Sequence, residues 1–235
     1  MTTLSPLGLS SSHIEVERTK LKPRGTNLVF LHPSYGPNTY ANVKEQIEKD
    51  NLKAPNMAET ASLVHAAFNS EDKYSEEIKQ IMKDRYFWAF TGNLYVPNKG
   101  AYIQDNPETR GGMPFMDESN LVKKLEADSP EVRFVPFGYK TGEMSSSDLA
   151  KNPYVLALAG EEGAEKLAEV ADKHKNRPCL FSYDSSISEP LTRVSALYSY
   201  WNLDRRLGVD GDDLGDGRYG SAFGVQLAPQ ARAEK

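Results

Sequence analysis

Short apolar runs alternate along the chain with longer segments whose apolar residues recur every three or four positions. The short runs at residues 27–31, 132–137 and 179–183 are typical of buried strands. The longer segments predict amphipathic helices, and residues 161–175 form the clearest of them. This pattern predicts an α/β fold class. We expect a single domain over residues 13–228, with helices packed on a central mixed sheet in a three-layer-like arrangement.

The middle of the chain predicts a core strand followed by a β-hairpin. Residues 86–90 (YFWAF) are the most aromatic stretch, and aromatic side chains favour strands and core packing. Apolar residues resume near 94–104 on both sides of an Asn-Lys-Gly sequence, which is typical of a tight turn. At the ends of the chain, residues 1–12 and 229–235 are predicted to be flexible termini.

The segment 190–206 fits two patterns. Its apolar residues from Val194 to Trp201 recur at helical spacing, but alternate residues are also apolar, which suits a strand. We favour the helix, because Ser188 and Glu189 followed by Pro190 fit a helix start.

The next segment, residues 210–217, is rich in aspartate and glycine and is predicted to be a loop. Its carboxylates could bind a hard cation such as calcium or magnesium through oxygen. The EF-hand spacing fails, however, because Leu214 stands at the fifth position and Ser221 at the twelfth. We therefore expect a solvated acidic turn and no metal site.

Composition narrows the class of protein. Apolar residues make up 39% and charged residues 26% of the chain, which is typical of a globular protein. The net charge of −5 and the scattered basic residues argue against a nucleic-acid partner. The one cysteine, Cys179, cannot form an internal disulfide and is expected in the core. With no signal-peptide pattern and no apolar run near the ~20 residues of a membrane helix, we expect a cytoplasmic protein without a membrane partner or a cofactor.

Polar loops follow three of the predicted strands. If those strands are parallel, the loops leave the sheet at one edge, where open α/β sheets bind ligands. A general base, a cation, a carboxylate and several hydroxyls would then meet around a small polar ligand. The converging residues would be His32, Ser34 and Tyr35, then Tyr139, Lys140 and Thr141, then Asp184, Ser185 and Ser186. The alternative is that these are ordinary turn and cap residues.

Such a site predicts a small-molecule enzyme, either a hydrolase or a group-transfer enzyme, acting on a polar substrate such as a phosphorylated one. His32 would be the general base, and Asp184 an orienting or second acid–base residue. Lys140 would bind an anionic group beside a helix start. Neither a GxSxG motif nor a phosphate-binding glycine motif occurs in this region, so these roles rest on loop position alone.

Two other hypotheses belong to different functional classes. A non-catalytic binding or protein-interaction module would present the hairpin and loop at residues 94–116 to a partner. Exposure of Tyr95 and Tyr102 would favour this hypothesis, and their burial would count against it. A structural subunit of an oligomer would instead carry a large apolar surface patch.

Overall fold

The computed structural model describes residues 19–23, 26–199 and 206–227. Within them, helices cover both faces of a ten-stranded sheet, and a separate pair of short strands forms a small hairpin. The strands are β1 Thr19–Leu21, β2 Leu28–Asn38, β3 Tyr86–Val96, β4 Gly100–Asp105, β5 Thr109–Arg110, β6 Met113–Pro114, β7 Val132–Pro136, β8 Gly142–Glu143, β9 Cys179–Phe181, β10 Leu191–Tyr198, β11 Gly208–Asp213 and β12 Gly220–Leu227. The helices are α1 Tyr40–Lys49, α2 Met57–Phe68, α3 Lys73–Asp84, α4 Glu118–Glu126, α5 Ser146–Lys151 and α6 Pro153–Asp172.

The sheet is mixed and mostly antiparallel. Its strand order is β1-β2-β12-β3-β10-β11-β9-β8, and β4 and β7 extend it from the C-terminal half of β3. The β12–β3 and β11–β9 pairs are parallel, and the other strand pairs of the described chain are antiparallel. The predicted α/β class is confirmed, and so is the hairpin, which β3 and β4 form. The domain boundaries at residues 13 and 228 stay a prediction.

Strand β3 lies at the centre of the sheet and is buried at every position except its first. The predicted core strand at residues 86–90 is therefore correct but too short. Alternate side chains enter different clusters: Phe87 packs with α2 and α3, whereas Trp88 packs with α1. Because both faces of β3 are covered, its sequence is continuously apolar and aromatic over its first half.

The helices form two layers. Helices α1 and α4 cover one face of the sheet, and α2, α3, α5 and α6 cover the other. Asn56 followed by Glu59 at the third helical position predicts a capping box at the start of α2, and the structure has one: the Asn56 side chain accepts from the Glu59 N–H, and the Glu59 carboxylate accepts from the Asn56 N–H. Residues 1–18 and 228–235, which include the predicted flexible termini, lie outside the described residues.

Strand β2 continues where the sequence predicts a loop. The two prolines and the glycine of residues 32–37 disrupt regular strand pairing and therefore predict a loop. In the structure, however, β2 runs to Asn38 and pairs with β12. The register between the two strands shifts twice, once between Gly220 and Ala222 and once between Ala222 and Gly224 of β12. Pro33 and Pro37, each preceded by a cis peptide bond, lie within these irregular stretches, where a proline interrupts no regular ladder.

The helix predicted over residues 190–206 is also wrong. Residues 191–198 form β10, and residues 200–205 lie outside the described residues. Strand β10 is paired on both sides, with β3 and β11, and its second half is buried. Local propensity alone favoured neither pattern decisively, and pairing with two distant strands selects the extended form.

The predicted acidic loop begins as strand β11, which reaches Asp213. Within it, Asp210 is only 4% exposed, and its Oδ1 accepts a hydrogen bond from the Asp212 N–H at 2.8 Å. Burial raises the pKa of the Asp210 carboxyl well above its usual range, and the neighbouring Asp212 charge adds to the effect. The Tyr198 hydroxyl also forms a hydrogen bond with this carboxyl.

We expect Asp210 to lower the stability of the fold at neutral pH. Its folded pKa lies above the unfolded value of about 3.9, so its ionisation removes stability as the pH rises from there through the folded pKa. Asp210→Asn keeps the oxygen that binds the Asp212 N–H. It should raise the melting temperature at pH 7, by about 2–4 °C for each kcal/mol recovered.

The pH dependence of melting, followed by circular dichroism, measures this effect. The gain should disappear near pH 3, about one unit below the unfolded pKa. The matched control is Asp216→Asn, which changes an exposed aspartate of the same segment. A lower melting temperature for Asp210→Asn at pH 7, or an equal gain at both pH values, would contradict the role of the buried charge.

Candidate functional site

Two loops lie side by side on the α1 face of the sheet. Gly92, Val194 and Asp213 occupy paired positions on the adjacent strands β3, β10 and β11. A Cβ at Gly92 would lie 2.9 Å from the side chains of Pro107 and Met116, so the loop 106–116 rests directly on this glycine. A Cβ at Gly215, two residues after the end of β11, would lie 3.2 Å from both methyl groups of Val194. The loop 214–219 therefore begins beside the loop 106–116.

Helix α1 forms hydrogen bonds with both loops. The Tyr40 N–H donates to the Gly215 carbonyl at 3.0 Å, and the Lys44 ammonium donates to the Pro107 carbonyl at 2.5 Å. Lys44 is only 5% exposed, and this burial lowers its pKa, although the Glu48 carboxylate acts in the opposite direction. A buried ammonium thus fixes the start of one loop, and the first turn of the same helix fixes the other.

The loop 106–116 begins directly after Asp105, and three other side chains bind the carboxylate of this residue. Arg133 binds both oxygens of this carboxylate, at 2.7 and 3.0 Å. The Thr91 hydroxyl and the Asn56 amide each donate to it at 3.0 Å. Bidentate guanidinium–carboxylate pairs are among the strongest and most directional side-chain contacts. The loop therefore leaves the sheet from a fixed point.

Exposed apolar side chains are concentrated on these two loops. Phe115 is 44% exposed, Leu214 50% and Tyr219 67%, and they are three of the five large apolar side chains exposed in the described part of the chain. The Arg110 guanidinium lies 3.6 Å from the centre of the Phe115 ring and also pairs with Glu108. We call the loops 106–116 and 214–219 together the loop surface.

Two of the three strands behind the predicted shared site run in the same direction. The pairings of β7 through β4, and of β9 through β11 and β10, orient both strands like β3, so the loops that follow them leave the same edge of the sheet. Strand β2 runs the opposite way, because it is antiparallel to β12 and β12 is parallel to β3, so the loop at residue 32 does not join them. The other two loops meet. The Tyr139 hydroxyl donates to the Tyr183 carbonyl at 2.8 Å and lies 3.2 Å from the Ser182 hydroxyl. Close to this contact are the predicted site residues Lys140, Thr141, Asp184, Ser185 and Ser186.

The members of this group are mostly turn residues in the structure. The Asp184 carboxylate accepts from the Ser186 N–H at 2.9 Å, and hydrogen bonds from the Ser186 side chain and then this N–H lower the pKa of Asp184. The Lys140 carbonyl accepts from the Asn152 amide at the start of α6. These local bonds explain the polar composition without a ligand, as expected for turns and caps.

The third predicted group lies elsewhere, on β2. Four strands separate β2 from β9 in the sheet order, so His32 and Asp184 do not belong to one cluster. His32 Nε2 lies 2.7 Å from the Glu77 carboxylate, and the Tyr35 hydroxyl donates to Asp50 at 2.6 Å. Ser34 is half-buried in the strand. The catalytic roles of His32 and Asp184 stay predictions.

Sequence reasoning missed Leu214 and Tyr219, because both lie in a segment interpreted as an acidic turn. A signal was present. Each is a large apolar residue next to a glycine in an otherwise polar stretch, where turn chemistry does not require one. Arg110 was missed for a different reason: its stacking on Phe115 depends on the turn between β5 and β6.

The described residues also constrain other kinds of site. None of their His, Cys, Asp and Glu side chains form a group of three that could hold a metal ion. None of their helices is long and apolar enough to cross a membrane. The absence of a cofactor and of a nucleic-acid partner, and the cytoplasmic location, stay predictions.

Comparison with known proteins identifies the fold. No protein-family model matches the chain, and no curated protein matches its sequence. A solved structure described as "Accommodation of massive sequence variation in Nanoarchaeota by the C-type lectin fold" does match, with a TM-score of 0.58 and 16% identity. The match covers 87% of this chain and 100% of that one. At this identity the likeness shows the fold alone: the chain has a C-type lectin fold.

This result corrects the functional prediction. The hydrolase or group-transfer assignment is wrong, because the matching structure has a binding fold. The alternative, a binding or interaction module using residues 94–116, fits better. Burial of Tyr95 and Tyr102 counts against the hairpin as a binding surface, and the two side chains are only 0% and 6% exposed. The hairpin strands are therefore core, and the loop carries the exposed side chains.

Replacing the buried lysine should loosen one loop without unfolding the protein. Lys44→Met removes the hydrogen bond to Pro107 but fills the same space and avoids the cost of burying a charge. We expect backbone amides in residues 106–116 to exchange hydrogen faster, while the melting temperature changes by no more than about 3 °C.

Hydrogen exchange followed by mass spectrometry measures this change, and Lys49→Met is the matched control. Lys49 lies on the same helix, is exposed and pairs with Glu45. Unchanged exchange in residues 106–116 of Lys44→Met, or the same increase in Lys49→Met, would show that the ammonium does not hold the loop.

Proposed function

We propose that this chain is a binding module that contacts a protein partner through the loop surface. The observation that supports the proposal is the concentration of exposed Phe115, Leu214 and Tyr219 on two loops that the sheet and α1 hold in place. Scattered exposed apolar residues are ordinary, whereas their concentration on adjoining loops is typical of an interaction surface.

The side chains on the loop surface suit a protein partner. Aromatic residues and arginine are enriched in protein–protein interfaces and dominate their binding energy. Here Arg110 lies over the ring of Phe115, and Leu214 provides a second apolar contact at the start of the adjoining loop. Arg218 and Asp216 add exposed charges of both signs around the apolar residues. Apolar side chains accompanied by charged ones are the usual composition of an interface.

Anchoring of the loops favours tight binding. Ordering a flexible loop costs binding free energy, and a loop that is already held costs less. The contacts of Asp105 with Arg133, of Lys44 with Pro107 and of Tyr40 with Gly215 exist in the isolated chain. They fix the bases of both loops and leave the exposed tips available to a partner.

The matching structure supports a division between scaffold and surface. It is described as accommodating massive sequence variation within the C-type lectin fold. In this chain, Gly111 and Gly112 have open space around them, and the loop side chains beside them contribute little to the core. We infer that the loop surface selects the partner, while the sheet maintains the fold.

The proposal is tested by quantitative affinity purification from cells that produce the protein, with cross-linking before lysis. Phe115→Ser and Leu214→Ser should each reduce recovery of a specific partner about tenfold or more, the loss expected for an interface hot spot. Phe134→Ser is the matched control, because Phe134 is also exposed, at 38%, but lies on β7.

Circular dichroism and melting of each variant must first show an intact fold. The proposal predicts a partner recovered with the unaltered chain and with Phe134→Ser, and lost with both loop variants. Equal recovery with all three variants, or no protein enriched above a non-binding bait, would refute a protein-binding role for the loop surface.

A further inference from the structure

Arg193 lies on the face of the sheet opposite the loop surface. It is the third residue of β10 and is paired with Asn93 of β3. Its neighbour Val194 points toward α1, so Arg193 points toward the layer that contains α6. The Asn93 side chain faces the same way, since it accepts a hydrogen bond from Tyr154 of α6. Arg193 is half-buried there.

The guanidinium of Arg193 uses few of its donors. One terminal nitrogen donates to the Tyr183 hydroxyl at 3.1 Å, and the other donates to the Thr192 carbonyl at 2.8 Å. The Nε atom is buried and has no hydrogen-bond partner among the described residues. The neighbouring Asn93 side chain is bound elsewhere: its oxygen accepts from Tyr154, and its amide donates to Ser195.

Within the described part of the chain, no carboxylate lies within 4.0 Å of the Arg193 nitrogens. Asp213 interacts with Arg193 electrostatically: burial raises the pKa of Asp213, and the charge of Arg193 opposes this shift. Arg133, which lies in the same sheet, is paired with a carboxylate: its guanidinium binds both oxygens of Asp105. A half-buried guanidinium without such a partner is costly unless an anion completes it.

We propose that Arg193 and Tyr183 form a binding site for a carboxylate group of a ligand. Each terminal nitrogen of the guanidinium makes one hydrogen bond and carries a second N–H, and this fork matches the two oxygens of a carboxylate. The Tyr183 ring lies 5.2 Å from the guanidinium carbon and keeps it in place, and the tyrosine hydroxyl lies beside the same donors.

A carboxylate suits this site better than a phosphate. Asp184 follows Tyr183 directly, and Asp213 lies within electrostatic range of Arg193. Negative charges nearby repel a doubly charged anion more strongly than a singly charged one. The polar loop that carries Ser185 and Ser186 adjoins the site and gives a place for the remainder of a small polar ligand.

The site is independent of the loop surface, because it lies on the other face of the sheet. Its test uses the arginine Nε–H resonances of the ¹⁵N-labelled full chain, with acetate and succinate as probes at constant ionic strength. The Arg193 signal is assigned from its loss in Arg193→Lys. Arg110, exposed and already paired with Glu108, is the internal control.

We expect the Arg193 signal to shift saturably with either carboxylate, with a dissociation constant of about 1–10 mM, typical of a single charge-assisted pair. The Arg110 signal should not saturate. Tyr183→Phe should weaken binding about fivefold, because it removes the hydroxyl beside the guanidinium, and it also tests the site should Arg193→Lys fail to fold. No saturable shift at about 100 mM probe, an equal shift at Arg110, or a stronger response to inorganic phosphate would overturn the proposal.

Discussion

The structure depends on the burial of β3 on both faces and on both edges. A strand in this position needs a neighbour for every backbone polar group and a layer of helices on each side. The chain supplies β12, β10 and β4 as neighbours, and its polar positions are satisfied as well: Thr91 donates to Asp105, and Asn93 binds Tyr154 and Ser195. Gly92 lies between these two polar residues and leaves the space in which the loop 106–116 packs.

Buried tyrosines form a hydrogen-bond network on the face of the sheet that α6 covers. The Tyr95 hydroxyl donates to the Gly211 carbonyl at 2.7 Å and lies 2.7 Å from the Tyr154 hydroxyl, so β3, β11 and α6 meet at one point. Ser182 joins the same network and fixes the loop that follows β9. Burial raises the pKa of both tyrosines, so the hydroxyls remain protonated donors. The loop surface and the Arg193 site thus lie on opposite faces of one rigid centre.

The sequence predicted the features that local chemistry decides. The capping box at Asn56, the hairpin turn and the α/β class all follow from neighbouring residues, and all are present. Residues 32–37, 191–198 and 210–213 were misassigned, because distant partner strands, and not local propensity, make them extended. The same limit applies to the candidate sites. Polar turns were easy to find, but the exposure of Leu214 depends on packing that no local pattern encodes.

The central claim is that the sheet carries the fold, while the exposed loop side chains serve binding. A protease-based stability measurement on every single substitution in β3 and in both loops tests it most directly. Polar residues at Phe115, Leu214 and Tyr219 should change the free energy of unfolding by less than about 0.5 kcal/mol. Small or polar residues at Trp88 should cost about 3–5 kcal/mol. If polar residues at Phe115 and Leu214 destabilise the protein as much as those at Trp88, these side chains serve folding and the claim is wrong.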